Sequence, residues 1–483
     1  MKQRSGRAGR TSAGVCWRLC SEDFCNNQLL PQTAPEMLRT PLDELVLQIC
    51  LLYEQRRDDF YRSHKGSGSG SFAIGAQPIK FLSQTPAPPP KNSLLQACRH
   101  LLEVDALRVV ETNGREGEED AWSYRLTPLG YHLSKLPMDA KVGKVLIVGC
   151  ILGCLDGALT VAAALSSTTS CFISGFGNKQ GNLPIEFQSR ESLVENGFGG
   201  KNWPGGTVKG DLIAVIAAFR AWKKHKSDEK KWKFCNHHAM NNKTLREMDR
   251  LRHQFQDLLV DAGFVPRPGP GNTTQPCNQA CEDALLTSCC LVAGLYPNVC
   301  SLIRPRKGGP KGGRLYTNDG DECRPTSNSF QRKRLQQASE TGKDAYAVYH
   351  AKHRSISTVS STSGARRPPE VFLTEVNFVS RFALLLFGGN LEIVKNAIIV
   401  DGWLKFKVSG DGEKNASKTG RSKGGTVDNA VLILALREKL DEMILQHIVE
   451  SSAADDSMQG SGASSNRHKD VIRVVRKLLS EEI

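Results

Sequence analysis

Residues 3–10 read Gln3-Arg4-Ser5-Gly6-Arg7-Ala8-Gly9-Arg10: three arginines and two glycines in eight positions, with no acidic residue before Glu22. A guanidinium is planar, permanently charged and able to grip two phosphate oxygens at once, and glycine lets backbone approach a ligand closely. Taken alone, the segment also reads as an Arg/Ser/Gly-rich transit peptide. The residues downstream decide between the two.

Working outward, residues 15–24 (VCWRLCSEDF) begin as a short strand. Leu42, Leu45, Val46, Ile49, Leu52 and Tyr53 then keep helical spacing, and a GSGSGS tract at 66–71 is a flexible insert. Leu94, Leu95, Cys98, Leu101 and Leu102 mark a second amphipathic helix. Two strands, Ala106–Val110 and Ala121–Leu126, flank a turn containing Asn113-Gly114, a hairpin signal. Helices followed by a hairpin suggest a small winged-helix domain. Thr127-Pro128 supplies an N-cap and a first-turn proline for the next helix.

From about 128 to 300 the pattern is helical. Asp211 is placed to cap a helix whose stripe is Leu212, Val215, Ile216, Phe219 and Trp222. Thr244-x-x-Glu247 is a capping box opening a helix with Met248, Leu251, Phe255, Leu258 and Leu259 inward, ending near Gly263 and Pro266. Val145 to Thr169 is apolar, but Asp156 and three glycines interrupt it, so it reads as a buried helix pair and not a membrane span. Residues 304–334 are basic and Gly/Pro-rich, a mobile insert. Beyond about 345 strands take over: Ala383–Phe387 is a continuous apolar run, and Leu404, Phe406 and Val408 alternate with Trp403, Lys405 and Lys407. Short strands between Gly-rich turns suggest a small barrel. A helix near 429–449, a low-complexity tract at 451–467 and a terminal helix at 468–483 close the chain.

The 483 residues are enough for three or four modest domains, and 39% hydrophobic content supports packed cores and excludes a wholly disordered protein. A formal charge of +14 favours an anionic partner, most simply a phosphate backbone, or else a solvated basic surface. The fifteen cysteines show no paired C-x2-C knuckles, which argues against a structural zinc site and for reduced, buried thiols of an intracellular protein.

Gln3 to Arg10 matches Q-R-x-G-R-A-G-R, and so resembles motif VI of the DEAH/RHA-type RNA helicases at every defined position. Further blocks occur in the order that family has them. Gly14-Val15-Cys16-Trp17-Arg18-Leu19-Cys20 resembles G-x-C-[FY]-R-L-Y, with Trp17 and Cys20 as departures. Pro35-Glu36-Met37-Leu38-Arg39 precedes Leu42, Leu45 and Leu47 in register. Leu126-Thr127-Pro128-Leu129-Gly130 resembles the L-T-x-L-G that closes the winged helix. Asp211 to Trp222 with Phe234-Cys235 resembles the ratchet's D-H-L…W…F-C stretch, with Leu212 where the histidine usually stands. Gly294-Leu295-Tyr296-Pro297-Asn298-Val299, Leu385 to Gly389 and Asp401-Gly402-Trp403 resemble later blocks.

The resemblance implies a multidomain α+β chain. Its expected parts are the end of a RecA-like helicase domain (1–39), a winged helix (40–130), a helical ratchet or helicase-associated bundle (131–303), a basic flexible insert (304–344), an OB-like β-barrel with a C-terminal helix (345–450), a linker (451–467) and a terminal helix (468–483). It further implies that Arg7 and Arg10 are arginine-finger candidates and that Gln3 contacts the γ-phosphate or attacking water. Gly6 and Gly9 would permit close backbone approach at a nucleotide site with ATP and Mg²⁺. Trp403, Lys405 and Lys407 would share a strand face against single-stranded RNA, unless Trp403 is core and the lysines merely solvated.

The sequence contains no G-x-x-x-x-G-K-[ST] and no D-E-x-H, so nothing in it cradles the β- and γ-phosphates or holds Mg²⁺. ATP and Mg²⁺ are thus expected to be held mainly by residues this chain lacks, and the chain alone to be inactive. A fragment, a truncated gene model or a separately expressed half is expected, since Met1 falls where the family is still inside a helix. The rival reading is a non-enzymatic RNA-binding scaffold that keeps only accessory domains. A protein activator and a nuclear, cytoplasmic or organellar setting are all compatible; a membrane is not expected.

Overall fold

The computed structural model describes residues 5–9, 11–28, 34–63, 75–110, 122–173, 210–267, 276–281, 283–303, 314–331, 335, 345–355, 369–394, 397–407, 425–453 and 464–480. The flexible insert expected at 66–71 and the Asn113-Gly114 turn lie outside them; of the low-complexity linker expected at 451–467, residues 451–453 and 464–467 are described and are helical, ending and opening the flanking helices.

The first module holds helices α1 (Asp43–Ser63), α2 (Pro78–Leu82) and α3 (Lys91–Glu103), then strands β1 (Leu107–Val110) and β2 (Ser123–Leu126). The strands form an antiparallel hairpin in which Leu107 faces Leu126 and Val110 faces Ser123. Val46 and Cys50 on α1 meet Leu94, Cys98 and Leu101 on α3, one turn apart, and the buried Tyr124 closes this separate core. Leu52, though on the α1 pattern, faces out. Helix α4 (Pro128–Ser134) starts where its cap predicts: the Thr127 side chain accepts from the Gly130 amide.

The helical body comprises α5 (Ala140–Ile151), α6 (Leu155–Ser166), α7 (Asp211–Lys224), α8 (Asp228–His237), α9 (Asn242–Asp261) and α10 (Ala284–Leu295). The apolar run from Val145 is the expected buried pair, α5 and α6. Among the described residues no helix is long and apolar enough to cross a membrane. Helices α5 and α10 approach so closely that a Cβ on Gly294 would collide with Val145 Cγ2, which is why glycine sits there. Helix α9 begins before the expected capping box: Asn241 accepts from the Lys243 and Thr244 amides, while the Thr244 hydroxyl bonds Thr169.

The sheet region contains β3 (Val299–Ile303), β4 (Arg314–Thr317), β5 (Glu322–Pro325), β6 (Tyr346–Val348), β7 (Ala351–Arg354), β8 (Val371–Thr374) and β9 (Asn377–Val379). They make one seven-stranded sheet in the order β7-β8-β5-β4-β3-β6-β9, antiparallel except for β5 with β8. Among the described residues its two ends do not pair, so the expected closed barrel is not found. Two of these strands fall within 304–344, expected to be a flexible insert; Leu315 and Cys323 bury against the sheet core and fix them there. Strand β3 likewise falls at the end of the stretch expected to be helical.

Helix α11 (Arg381–Phe387) corrects a second expectation. The run Ala383–Phe387 is helical because Ser380 caps it, and it is buried against α10. An apolar run this short carries no period to separate strand from helix. A three-stranded meander comes next, β10 (Leu391–Val394), β11 (Ala397–Val400) and β12 (Leu404–Lys407). Helices α12 (Gly425–Ala453) and α13 (Ser464–Ser480) then lie back on the body. His132 Nε2 on α4 donates to the Ile448 carbonyl on α12 at 2.9 Å, tying the first module to the last helices.

The helical body and the sheet are joined at Asp211. It does not cap its own helix: its carboxylate accepts from the amides of Phe330 and Val376, both at 2.9 Å, while Asn377 Oδ1 accepts from the Leu212 amide at 3.0 Å. Residues 15–24, expected to begin as a short strand, form no strand among the described residues. All fifteen cysteines are free thiols and ten are buried.

Candidate nucleotide-facing and nucleic-acid-facing sites

Of the Gln3–Arg10 segment, the described residues are Ser5 to Gly9; Gln3 and Arg10 lie outside them. Residues 6–9 form a turn, with the Ala8 amide bonded to the Ser5 carbonyl at 3.2 Å. Gly9 has φ +100°, a conformation an L side chain resists, and Gly6 is exposed in the same turn. Arg7 is exposed and makes no ion pair among the described residues. An unspent guanidinium on an open turn is free to meet an external anion.

On β12 the side chains alternate as the sequence requires: Leu404 and Phe406 are buried, Lys405 and Lys407 exposed. Trp403 does not join them. It lies in the turn before the strand, half-buried against the main core. The turn reverses through Asp401 (φ +46°) and Gly402 (φ +74°), and this takes Trp403 out of the strand's alternation.

Three blocks that are distant in sequence converge beside it. The Tyr296 hydroxyl donates to Asp401 Oδ2, and the Asn390 amide donates to Asp401 Oδ1 at 2.7 Å. Gly389 leaves room for that carboxylate. Burial and the Asp401 carboxylate push the Tyr296 phenol well above its ordinary pKa. Arg437 on α12 donates to the Leu385 carbonyl at 3.1 Å and to that of Gly388. The cluster fixes the meander against α10 and α12.

Half-buried charge is what the sequence pattern did not signal. Lys144 donates to the Val104 carbonyl at 2.8 Å; burial lowers its pKa while Asp105 and Asp441 oppose that. Asp156 receives Arg220 Nε at 2.9 Å and Arg252 Nη2 at 2.6 Å. Burial alone would raise its carboxyl pKa, but Arg252 and Arg220 outweigh this and hold it below the usual carboxylate range. The Arg252 guanidinium also lies 4.7 Å from the Phe219 ring centre. A cleft of about 430 Å³ opens beside this knot, lined among others by Arg220, Lys223, Lys224, Arg252 and His253. The polar member of each pair is visible in sequence, but not which helices bring them together.

Comparison with known proteins fits this architecture. The family described as "Helicase associated domain (HA2), ratchet-like" matches residues 139–240. DExH-box ATP-dependent RNA helicase DExH1 of Arabidopsis thaliana is 31% identical over 467 residues, covering 96% of this chain and 37% of that protein. ATP-dependent DNA/RNA helicase DHX36 of Bos taurus is 28% identical over 458 residues, 93% of this chain and 36% of the relative. DHX57 of Mus musculus is 29% identical over 442 residues, 84% and 27% respectively. The chain thus spans roughly a quarter to somewhat over a third of the length of the curated relatives it matches.

Proposed function

We propose that the chain is the C-terminal region of a DEAH/DExH-box ATP-dependent RNA helicase, which its matches over most of its length support, and that it serves as the motor's RNA-gripping and transition-state-sensing part. In the whole enzyme, ATP closes two RecA-like domains, and the accessory domains hold single-stranded RNA so that closure moves it. The observation that carries this reading is the Gln3–Arg10 segment standing ahead of a helical body that matches the ratchet family over residues 139–240.

The module of α1 to α3 with the β1–β2 hairpin has the content of a winged helix, and the strands after Val299 are read as an open OB-type platform. Arg7 and Arg10 are the proposed arginine fingers and Gln3 the γ-phosphate or water contact; Gly6 and Gly9 keep the turn thin enough for approach. Bound Mg²⁺ would neutralise charge on the β- and γ-phosphate oxygens. The sequence supplies neither a phosphate-cradling loop nor a D-E-x-H, so the residues for Mg²⁺ belong to another part of the enzyme.

The test is steady-state ATPase of the chain alone, and of the chain joined to a helicase core that carries both missing motifs, with and without RNA. The expected result is no turnover from the chain alone and RNA-stimulated turnover from the joined protein. ATPase from the purified chain alone would overturn the reading.

A further inference from the structure

Most of the chain's thiols are protected by the fold. Ten of the fifteen are buried. Burial pushes Cys98 and Cys235 up to about 11, where almost none of either is the reactive thiolate at neutral pH. The strip after the Gln3–Arg10 turn is different. Cys16 is exposed, Cys20 and Cys25 are partly exposed, and the Cys20 and Cys25 sulfurs lie 3.1 Å apart. Among the described residues no three His, Cys, Asp or Glu side chains are grouped to hold a metal ion, so the two sulfurs face one another as a pair.

The local backbone makes the pair. Ser21 opens a short turn: its hydroxyl accepts from the Phe24 amide at 3.3 Å, and its carbonyl accepts from the Cys25 amide at 3.0 Å. That turn carries Cys25 back to the residue just before Ser21, which is Cys20. Cys20 stands where the block it resembles has tyrosine, so the pair is a departure of this chain. At the other end of the strip Gly14 lies against the arginine-bearing turn. A Cβ on Gly14 would stand 3.2 Å from the Ala8 Cβ and 3.4 Å from the Gly9 nitrogen. Residues 14–20 thus run directly from that turn to the thiol pair.

We propose that Cys20 and Cys25 are an oxidisable dithiol, closed to a disulfide by peroxide, which fixes the strip behind the Gln3–Arg10 turn and lowers ATPase in the whole enzyme. One thiolate attacks peroxide: an S–O bond forms as the O–O bond breaks, giving a sulfenic acid and, with a proton, water. The other thiolate attacks that sulfur, the S–S bond forms and the sulfenic oxygen leaves as a second water. Two electrons pass from the thiols to peroxide, and their two protons end in the two waters. The sulfurs must close by roughly 1 Å to the bond length of about 2.05 Å. Their hydrogen bond holds the Cys20 thiol above its ordinary value, which slows attack by that sulfur but keeps the two together for the second step. A disulfide this accessible is reopened by reducing thiols, as a switch requires. The effect on ATPase rests on the arginine-finger reading; closure of the disulfide does not.

The experiment treats the reduced full chain with hydrogen peroxide, blocks the remaining thiols with iodoacetamide and maps the peptides by mass spectrometry. A Cys20–Cys25 link should form, lighter by two hydrogens and reversed by dithiothreitol. Cys16→Ser should keep it, and Cys20→Ser and Cys25→Ser should lose it. No link, or a link between any other pair, would overturn the proposal and leave the functional reading standing. In the chain joined to a helicase core, the same oxidation should lower RNA-stimulated kcat by roughly tenfold, short of the about 10²-fold that a 1 Å misplacement costs. Dithiothreitol should restore it, and Cys25→Ser should keep its kcat throughout. Unchanged kcat in the fully linked parent, or an equal loss in Cys25→Ser, would overturn the control of ATPase. A joined enzyme without ATPase even when reduced would overturn that control together with the functional reading.

Discussion

The helical body and the N-terminal strip make opposite use of the same residue type. Trp222 is fully buried among α7, α8 and α9, with its indole N–H bonded to Asn242 at 2.9 Å, whereas Trp17 is 87% exposed, between Val15 at 78% and Leu19 at 103%. The body makes its own core and carries no recognisable chemical motif. The strip carries the sharpest chemical motif and buries almost nothing. Stability and chemistry are therefore lodged in different parts of the chain and should respond to different substitutions.

The largest effect should come from Trp222→Ala, which removes a fully buried indole and its hydrogen bond and should cost about 3–5 kcal/mol in urea unfolding. Trp17→Ala should stay within about 0.5 kcal/mol, the range of ordinary surface changes. A comparable loss from Trp17→Ala would erase the contrast. Asp156→Ala leaves two half-buried guanidiniums facing one another without their counter-charge and should cost about 2 kcal/mol, between an exposed pair and a fully buried one. Gly294→Ala forces a Cβ into Val145 and should cost about 1–3 kcal/mol by overpacking.

Acid should sharpen the same contrast. The folded Asp156 carboxyl titrates below its unfolded counterpart, so its contribution is complete above the unfolded value, about 3.9 for a free Asp, and fades as pH falls through the folded one. Asp156→Asn should therefore give a shallower acid limb of stability than the parent, measured by urea midpoints at successive pH values. Identical limbs would mean that other carboxylates govern the acid transition.

The smallest effect belongs to the three-stranded meander. Lys405→Gln/Lys407→Gln should leave stability unchanged and lower the RNA salt slope by about 1.4 if both lysines meet phosphates. No change in slope would return those lysines to the role of a solvated strand face.

Much of this division was legible in the residues. Helical stripes such as Leu212, Val215, Ile216, Phe219 and Trp222 are periodic, and periodicity survives into structure because burial enforces it. The Thr127 cap was legible because its hydrogen bond is local. What failed was either aperiodic or distant. Ala383–Phe387 has no period, so strand and helix were equivalent until Ser380 capped it. Trp403 left its expected face because Asp401 and Gly402 turn the backbone just before it. Asp211 was read as a cap for its own helix, yet its partners, Phe330 and Val376, lie more than a hundred residues away. The Asp156 knot was hidden for the same reason.

The most direct measurement of the central claim is made on the joined enzyme, where Arg7→Ala and Arg10→Ala are compared with the parent for RNA-stimulated ATPase and for RNA affinity. Each substitution should lower kcat by about 10³-fold or more, the scale of an arginine finger, while RNA affinity barely moves. Full ATPase in either variant would contradict the role assigned to that arginine, and a loss confined to RNA affinity would show that the segment faces RNA and not nucleotide.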